Sequence, residues 1–197
     1  MKTLHANAAL VVIDVQRAFD DPYWGKSNNP ACEENIASLI MAWESERRPI
    51  VVVRHDSKDA GSPLHPSADG NALKPFVAEA YPDLLVTKHV NSAFIGSPDL
   101  DSWLTEEGIR QIVVCGIQTN MCVETTSRMG GNLGYEVIFP LDATRTFDMV
   151  GPIRADGETL TATADELMHA TAVNLHGGGF ADVVTTAEVL TQVADEE

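Results

Sequence analysis

The sequence predicts an α/β protein in which helices cover both faces of a parallel β-sheet. Short apolar runs rich in β-branched residues alternate with helical patterns along the 197 residues. The first run, at 8–15, is apolar at almost every position, which is typical of a strand covered on both faces. No internal repeat or low-complexity linker interrupts the alternation. We therefore expect one domain over residues 1–197, with three α/β/α layers and a Rossmann-like, six-stranded parallel sheet in the order 3-2-1-4-5-6.

In the first half of the chain, apolar runs predict three strands separated by a helix and two long loops. The loop after the first strand is rich in aromatic residues. The loop after the second strand is too long for a plain connector, which indicates a functional role. The predicted elements are a strand at 8–15, a loop at 16–29, a helix at 31–47, a strand at 49–54, a loop at 55–71 and a strand at 84–88.

The second half of the chain continues the alternation with three more strands. The predicted elements are a helix at 100–107, a strand at 111–115, a helix at 122–134, a strand at 135–141, a helix at 161–176, a strand at 181–185 and a helix at 187–193. Right-handed crossovers place the carboxyl ends of all these strands at one edge of the sheet, where ligands bind in open α/β sheets. A functional site is therefore expected at that edge.

Composition excludes several classes of partner. The chain has 29 acidic and 13 basic residues, a formal net charge of −16, which would repel nucleic acids and anionic membranes. Three cysteines, without metal or redox spacing, indicate reduced thiols and a cytoplasmic location. The first residues carry no secretory pattern, and no apolar stretch approaches the roughly 20 residues of a membrane span. We expect a cytoplasmic protein that acts on a small molecule.

Cys122 stands where the fourth predicted strand gives way to a helix. Thr119 and Asn120 are both residues that favour a helix N-cap, so Cys122 would lie in the first helical turn. Free backbone N–H groups and the helix dipole at that position favour a thiolate over a thiol. The alternative is that Cys122 is a small buried hydrophobic residue, as most free cysteines are.

Two charged residues end other predicted strands at the same edge of the sheet. Asp14 interrupts the apolar run of the first strand, and an unpartnered carboxylate in such a place is costly. Lys88 ends the third strand and is the obvious partner. We expect the two side chains to meet near Cys122; the alternatives are a purely structural ion pair or two unrelated charges.

Three motifs, in this order along the chain, resemble those of the isochorismatase-like cysteine hydrolases. They are DVQRAF from Asp14, KHVNSAF from Lys88 and CGIQTNMCV at 115–123, with DAT at 142–144 as a fourth match. The resemblance implies a triad in which Cys122 is the nucleophile, Asp14 the general base and acid, and Lys88 their electrostatic partner. The implied reaction is hydrolysis of a C–N bond in a small carboxamide or ureido compound through a Cys122 thioester.

The same resemblance implies further features. A cis peptide bond is expected between Ile117 and Gln118, aiming the Gln118 N–H, with that of Cys122, at the oxyanion. The metal-dependent branch of the family carries Asp-x-His after the second strand, whereas here Asp56 follows His55 directly. We therefore expect no metal and no cofactor. A homo-oligomer, either a dimer or a tetramer, is also implied.

Further candidates rest on position alone. Arg145 would either bind a substrate carboxylate or lie in a surface salt bridge, and Phe94 would either reach the substrate or simply pack. Cys115 is expected in the core and Cys32 on the solvent side or at an interface. The candidates for substrate binding are Gln16, Phe19, Trp24, Asn91, Phe94 and Arg145.

Two other functions stay open at this point. One is hydrolysis of a vinyl ether of the isochorismate type, which the presence of a nucleophilic cysteine disfavours. The other is a non-catalytic module on the same scaffold that binds a small molecule or senses redox state through Cys122.

Overall fold

The computed structural model describes residues 2–194, and its centre is a parallel sheet. The strands are β1 Ala9–Ile13, β2 Ile50–His55, β3 Leu84–Lys88, β4 Gln111–Ile117, β5 Glu136–Pro140, β6 Thr144–Arg145, β7 Met149–Ile153, β8 Thr159–Ala162 and β9 Asp182–Val184. Six of them are parallel neighbours in the order β3-β2-β1-β4-β5-β9. The predicted fold class and strand order are confirmed. The two-residue β6 adds a seventh strand beside the end of β4.

Helices form a layer on each face of this sheet. They are α1 Cys32–Ser45, α2 Pro75–Ala78, α3 Leu100–Glu106, α4 Glu124–Leu133, α5 Ala164–Gly177 and α6 Thr186–Ala194. Side chains of α1 and α6 pack in one core cluster, and those of α3, α4 and α5 in the other. Within residues 2–194 no helix has the length and apolar character needed to cross a membrane.

Strand β1 explains why the sheet is covered on both faces. All five of its residues are buried. Leu10 and Val12 enter one core cluster while Val11 and Ile13 enter the other, because successive strand residues point to opposite faces. Burying each of these side chains contributes roughly 1.5–3 kcal/mol. The strand that carries Asp14 at its end is therefore held firmly from both sides.

The region 149–162 differs from the sequence prediction. It forms an antiparallel hairpin of β7 and β8 outside the main sheet, whereas a helix was expected from residue 161. Helix α5 begins at Ala164 because Thr163 and Glu166 form a capping box. The hairpin has few buried residues and therefore no strong apolar periodicity from which to predict it.

Gly116 brings β4 against β1 just before the Cys122 segment. Its φ is 128°, and a Cβ there would lie 2.1 Å from the carbonyl oxygen of Ile13. Only glycine fits this approach. The peptide bond between Ile117 and Gln118 is cis, as the family resemblance implies.

Candidate active site

Asp14 and Lys88 form a completely buried ion pair at the carboxyl edge of the sheet. Lys88 Nζ lies 2.6 Å from Asp14 Oδ2, and neither side chain is exposed to solvent. Asp14 has a φ of 52°, a left-handed conformation that aspartate tolerates better than most residues. Lys88 Nζ also lies 3.1 Å from His55 Nδ1. The ammonium group therefore connects a carboxylate and an imidazole from neighbouring strands.

Cys122 lies in one turn of π-helix, Thr119–Val123, that leads into α4. The Cys122 sulfur, a carboxylate oxygen of Asp14 and a ring nitrogen of His55 all lie within 4.8 Å of one another, so the sulfur lies beside the buried ion pair. The prediction of a side-chain N-cap was wrong. The cap position is Gln118, which makes no side-chain cap, and Thr119 instead donates a hydrogen bond to the Thr144 hydroxyl at 2.9 Å.

The ionisation of Cys122 also differs from the sequence prediction. Burial and the Asp14 carboxylate raise the pKa of the thiol, and the nearby Lys88 ammonium opposes them only in part. A thiolate was expected from the helix N-terminus, but dehydration and a like charge at close range outweigh the dipole. Burial therefore favours the neutral thiol, and the Asp14 carboxylate lies next to the sulfur, where it can accept a proton.

His55 is held as a neutral ring. Burial and the positive charge of Lys88 lower its pKa. Because Nδ1 faces the Lys88 ammonium and accepts from it, we assign the ring proton to Nε2. Gln16 fixes the backbone at this point: its Oε1 accepts from the His55 N–H at 2.9 Å, and its Nε2 donates to the His55 carbonyl at 3.0 Å.

The donor set of Asp14, His55 and Cys122 has a spacing at which a metal ion could bind. Lys88 argues against this use, because its ammonium already donates to Asp14 and approaches His55. A divalent cation beside it would meet direct charge repulsion. These residues therefore fit a metal ion poorly.

A cavity of about 290 Å³ opens onto Cys122 from the edge of the sheet. Besides Asp14 and Cys122, four of the positions named from the sequence line it: Phe19, Trp24, Asn91 and Gln118. The long loop after β2 contributes to the wall, as its length indicated. The lining residues that sequence reasoning did not single out are His55, Ser57, Ser62, Leu64, Met121 and Met149.

Three sequence candidates lie outside this cavity. Gln16 is fully buried, with its amide committed to backbone groups. Phe94 packs against Tyr135, with ring centroids 5.7 Å apart. Arg145 Nη2 lies 2.8 Å from Glu33 Oε1, so the salt-bridge alternative holds for it, but the pair is largely buried and does not lie on the surface as expected. Each residue is close in sequence to a functional position, but its side chain is held by core or ionic partners.

The other two cysteines are both fully buried. The core position expected for Cys115 is confirmed. The solvent-side or interface position expected for Cys32 is wrong, because Cys32, the first residue of α1, points into the core, where burial raises the pKa of its thiol to about 12.

The molecule thus combines a doubly wound α/β sheet with a cysteine beside a buried Asp–Lys pair and a small cavity at the carboxyl edge of the sheet. The chain belongs to the isochorismatase family: residues 8–188 match the model described as the isochorismatase domain. This is a family of hydrolases that includes amidohydrolases acting on C–N bonds.

Individual relatives agree with this placement. The uncharacterized isochorismatase family protein YrdC of Bacillus subtilis (strain 168) is 37% identical over 184 residues, covering 92% of this chain and 94% of the relative. Ureidoacrylate amidohydrolase RutB of Variovorax paradoxus (strain S110) is 32% identical over 177 residues, covering 72% of this chain and 70% of the relative. A crystal structure of an isochorismatase-family protein from Chromobacterium violaceum ATCC 12472 has a TM-score of 0.86 at 34% identity, with 99% of both chains covered.

Proposed function

We propose that the chain is a metal-independent cysteine amidohydrolase that cleaves the C–N bond of a small carboxamide or ureido compound. One observation carries the proposal: Asp14 and Cys122, from distant segments, line one cavity, and Lys88, from a third segment, is bound to Asp14 beneath it. For a primary amide the net reaction consumes one water and yields a carboxylic acid and ammonia. The kinship with an amidohydrolase named for its ureido substrate supports the same bond type.

In the first half-reaction Cys122 attacks the carbonyl carbon while its proton passes to Asp14. Asp14 Oδ1 is buried and has no hydrogen-bond partner in the described part of the chain, so it is free to accept that proton. The backbone N–H groups of Gln118 and Cys122 would stabilise the tetrahedral oxyanion. As the C–N bond breaks, Asp14 returns the proton to the leaving nitrogen, and a thioester remains on Cys122.

In the second half-reaction water attacks the thioester. Asp14 takes a proton from the water as the new C–O bond forms, and the oxyanion is stabilised as before. The C–S bond then breaks, the carboxylic acid leaves, and the proton returns to the sulfur. Lys88 donates a hydrogen bond to the Asp14 carboxylate at 2.6 Å and holds it next to Cys122 between transfers.

Replacement of the nucleophile tests the proposal. The variant Cys122→Ala should lose ammonia release completely over a panel of amides and ureas, while circular dichroism shows an unchanged fold. Cys32→Ala is the matched control, because Cys32, the first residue of α1, is buried in the core and does not line the cavity, and this variant should keep its activity. Full activity in Cys122→Ala would refute the mechanism.

The two alternative functions are less well supported. A redox sensor needs an accessible thiol of low pKa, whereas burial and Asp14 raise the pKa of Cys122. Vinyl-ether hydrolysis would not need the sulfur that stands at the floor of the cavity. Pyruvate release that survives in Cys122→Ala would favour that reaction.

Cellular location and assembly belong to the same proposal. All three cysteines are free thiols, which supports a reducing compartment such as the cytoplasm. We propose a homodimer or homotetramer, in line with the family resemblance. Size-exclusion chromatography with light scattering measures the assembly, and a monomer at micromolar concentration would contradict this part.

A further inference from the structure

One wall of the catalytic cavity is apolar and rigid. Phe19 and Trp24 have ring centroids 5.0 Å apart, and Phe147 supports both at 6.0 and 5.9 Å. The Trp24 indole N–H donates to the Ala18 carbonyl at 2.9 Å, which fixes the ring. The rest of this wall comes from Leu64, Met121 and Met149. Such a wall suits a compact apolar group next to the reacting carbonyl.

Among the described residues 2–194, none that lines the cavity carries a fixed positive charge that could pair with a substrate anion. None of its lining residues within 2–194 is a lysine or an arginine, and its one formal negative charge is Asp14. Lys88 lies below the floor, 1% exposed and bound to Asp14. Arg145 is held by Glu33 at 2.8 Å, outside the cavity, and Arg54 is bound to Asp56 through two nitrogens at 2.9 and 3.1 Å.

The polar side chains among the other lining residues include uncharged groups. Ser57, Ser62 and Asn91 line the cavity and offer hydroxyl and amide groups without charge. The exposed Arg17 lines a second depression, which shares Ser62 with the catalytic cavity, but Arg17 does not line the catalytic cavity itself. The formal charge of −16 on the whole chain adds long-range repulsion of anions.

We propose that the substrate is an uncharged carboxamide or urea bearing one compact apolar group, and that the site rejects amides that also carry a carboxylate. The inference rests on the proposed function and deepens it. A carboxylate in this cavity would lose its hydration without gaining a counter-ion, and it would face Asp14. The chain would then differ from its relative RutB, whose name indicates an acidic ureido substrate.

Matched pairs of amides test the preference. Hexanamide is compared with 6-amino-6-oxohexanoate, and benzamide with 4-carbamoylbenzoate, by ammonia release. We expect kcat/KM to favour the neutral member of each pair by about 100-fold or more, since the site has no partner for the second charge. Equal or faster turnover of the acids would overturn the inference and leave the proposed function intact. No ammonia from any member would overturn the proposed function itself.

Alkylation of Cys122 tests the charge preference without turnover. Iodoacetamide and iodoacetate differ mainly in charge, and glutathione provides the reference ratio of their rates. Cys32 and Cys115 are fully buried, so mass spectrometry after brief exposure reports Cys122. We expect the iodoacetamide-to-iodoacetate ratio to exceed that of glutathione by about 10-fold or more. A ratio equal to that of glutathione would overturn the inference.

A pair of variants tests whether the charge preference of alkylation arises from the lack of a cation in the cavity lining. Met149→Lys places an ammonium on the apolar wall, and Met149→Leu is the uncharged control. The lysine variant should bring the alkylation ratio back toward the glutathione value, and the leucine variant should not. An unchanged ratio in Met149→Lys, with its fold intact by circular dichroism, would contradict the electrostatic origin.

Discussion

At the residue scale, Lys88 holds the charges of the site together. Its side chain is 0% exposed, and its ammonium contacts the carboxylate of Asp14 and the imidazole of His55. A buried ion pair gains little over an apolar pair, but breaking it by removing one partner is strongly destabilising. The proposed catalytic role therefore explains the presence of this ion pair better than a contribution to stability does.

Removing the Lys88 ammonium should reveal the free-energy cost of leaving Asp14 without its partner. We expect Lys88→Met to lower the free energy of unfolding by about 3–5 kcal/mol, because Asp14 would remain buried and charged without a partner. The double variant Asp14→Asn, Lys88→Met should recover most of the loss while staying inactive. Urea denaturation measures both, and a double variant no more stable than Lys88→Met would contradict this account.

His55 should give the protein a distinct pH dependence. Its pKa in the folded state lies below its ordinary value of 6.5, so the unfolded chain binds the proton more tightly. The stabilisation is complete above pH 6.5 and is lost as the pH falls from there through the folded pKa. Between pH 7 and 5 the melting temperature should fall further for the wild type than for His55→Gln. Equal falls would show that His55 does not titrate in this way.

At the element scale, the end of β4 determines where the sulfur lies. Gly116 lets β4 approach β1, and the π-helical turn of Thr119–Val123 begins three residues later. The turn is tied to β6 by the hydrogen bond between Thr119 and Thr144. Cys122 is thus positioned by backbone geometry and by a buried hydroxyl pair, without a side-chain helix cap.

A glycine substitution can separate positioning from stability. Gly116→Ala should abolish activity and cost about 1–3 kcal/mol or more, because the added Cβ would overlap the Ile13 carbonyl. Gly134→Ala is the matched control: Gly134 also has a positive φ, of 94°, but has open space around it, so only about 1 kcal/mol and no activity should be lost. Urea denaturation and ammonia release distinguish them, and an active Gly116→Ala enzyme would contradict the positioning role.

The secondary-structure elements also show which features of the site can be predicted from the sequence. Asp14, Lys88 and Cys122 could be brought together on paper because parallel strands end at one edge, whatever the details of packing. The paths of long segments do not follow such a rule. Leu64 reaches the cavity because the Asn71 amide, from the other end of its loop, donates to the Leu64 carbonyl at 2.8 Å.

The same reason explains the failures among the substrate-binding candidates. Gln16 and Arg145 are correctly placed along the chain, but the direction of each side chain depends on a partner remote in sequence. Gln16 is bound by the His55 backbone and Arg145 by Glu33. Met149 was missed because its hairpin has no strong apolar periodicity.

At the scale of the whole molecule, the fold, the charge and the cavity are consistent with one activity. The sheet edge gathers a thiol, a carboxylate and an ammonium group, and the cavity above them is small and largely apolar. The negative charge of the chain and the absence of cations among the lining residues described both favour an uncharged substrate. The family match indicates the class of reaction, which is hydrolysis. The residues that line the cavity are the basis of the proposal that the substrate is uncharged.

The most direct test of the account is detection of the acyl-enzyme. The protein is mixed with an amide that it turns over, quenched in acid within one turnover, and analysed by intact and peptide mass spectrometry. We expect a mass increase equal to the acyl group, located on Cys122 and removed by hydroxylamine. Turnover without any adduct on Cys122, continuing in Cys122→Ala, would contradict the account.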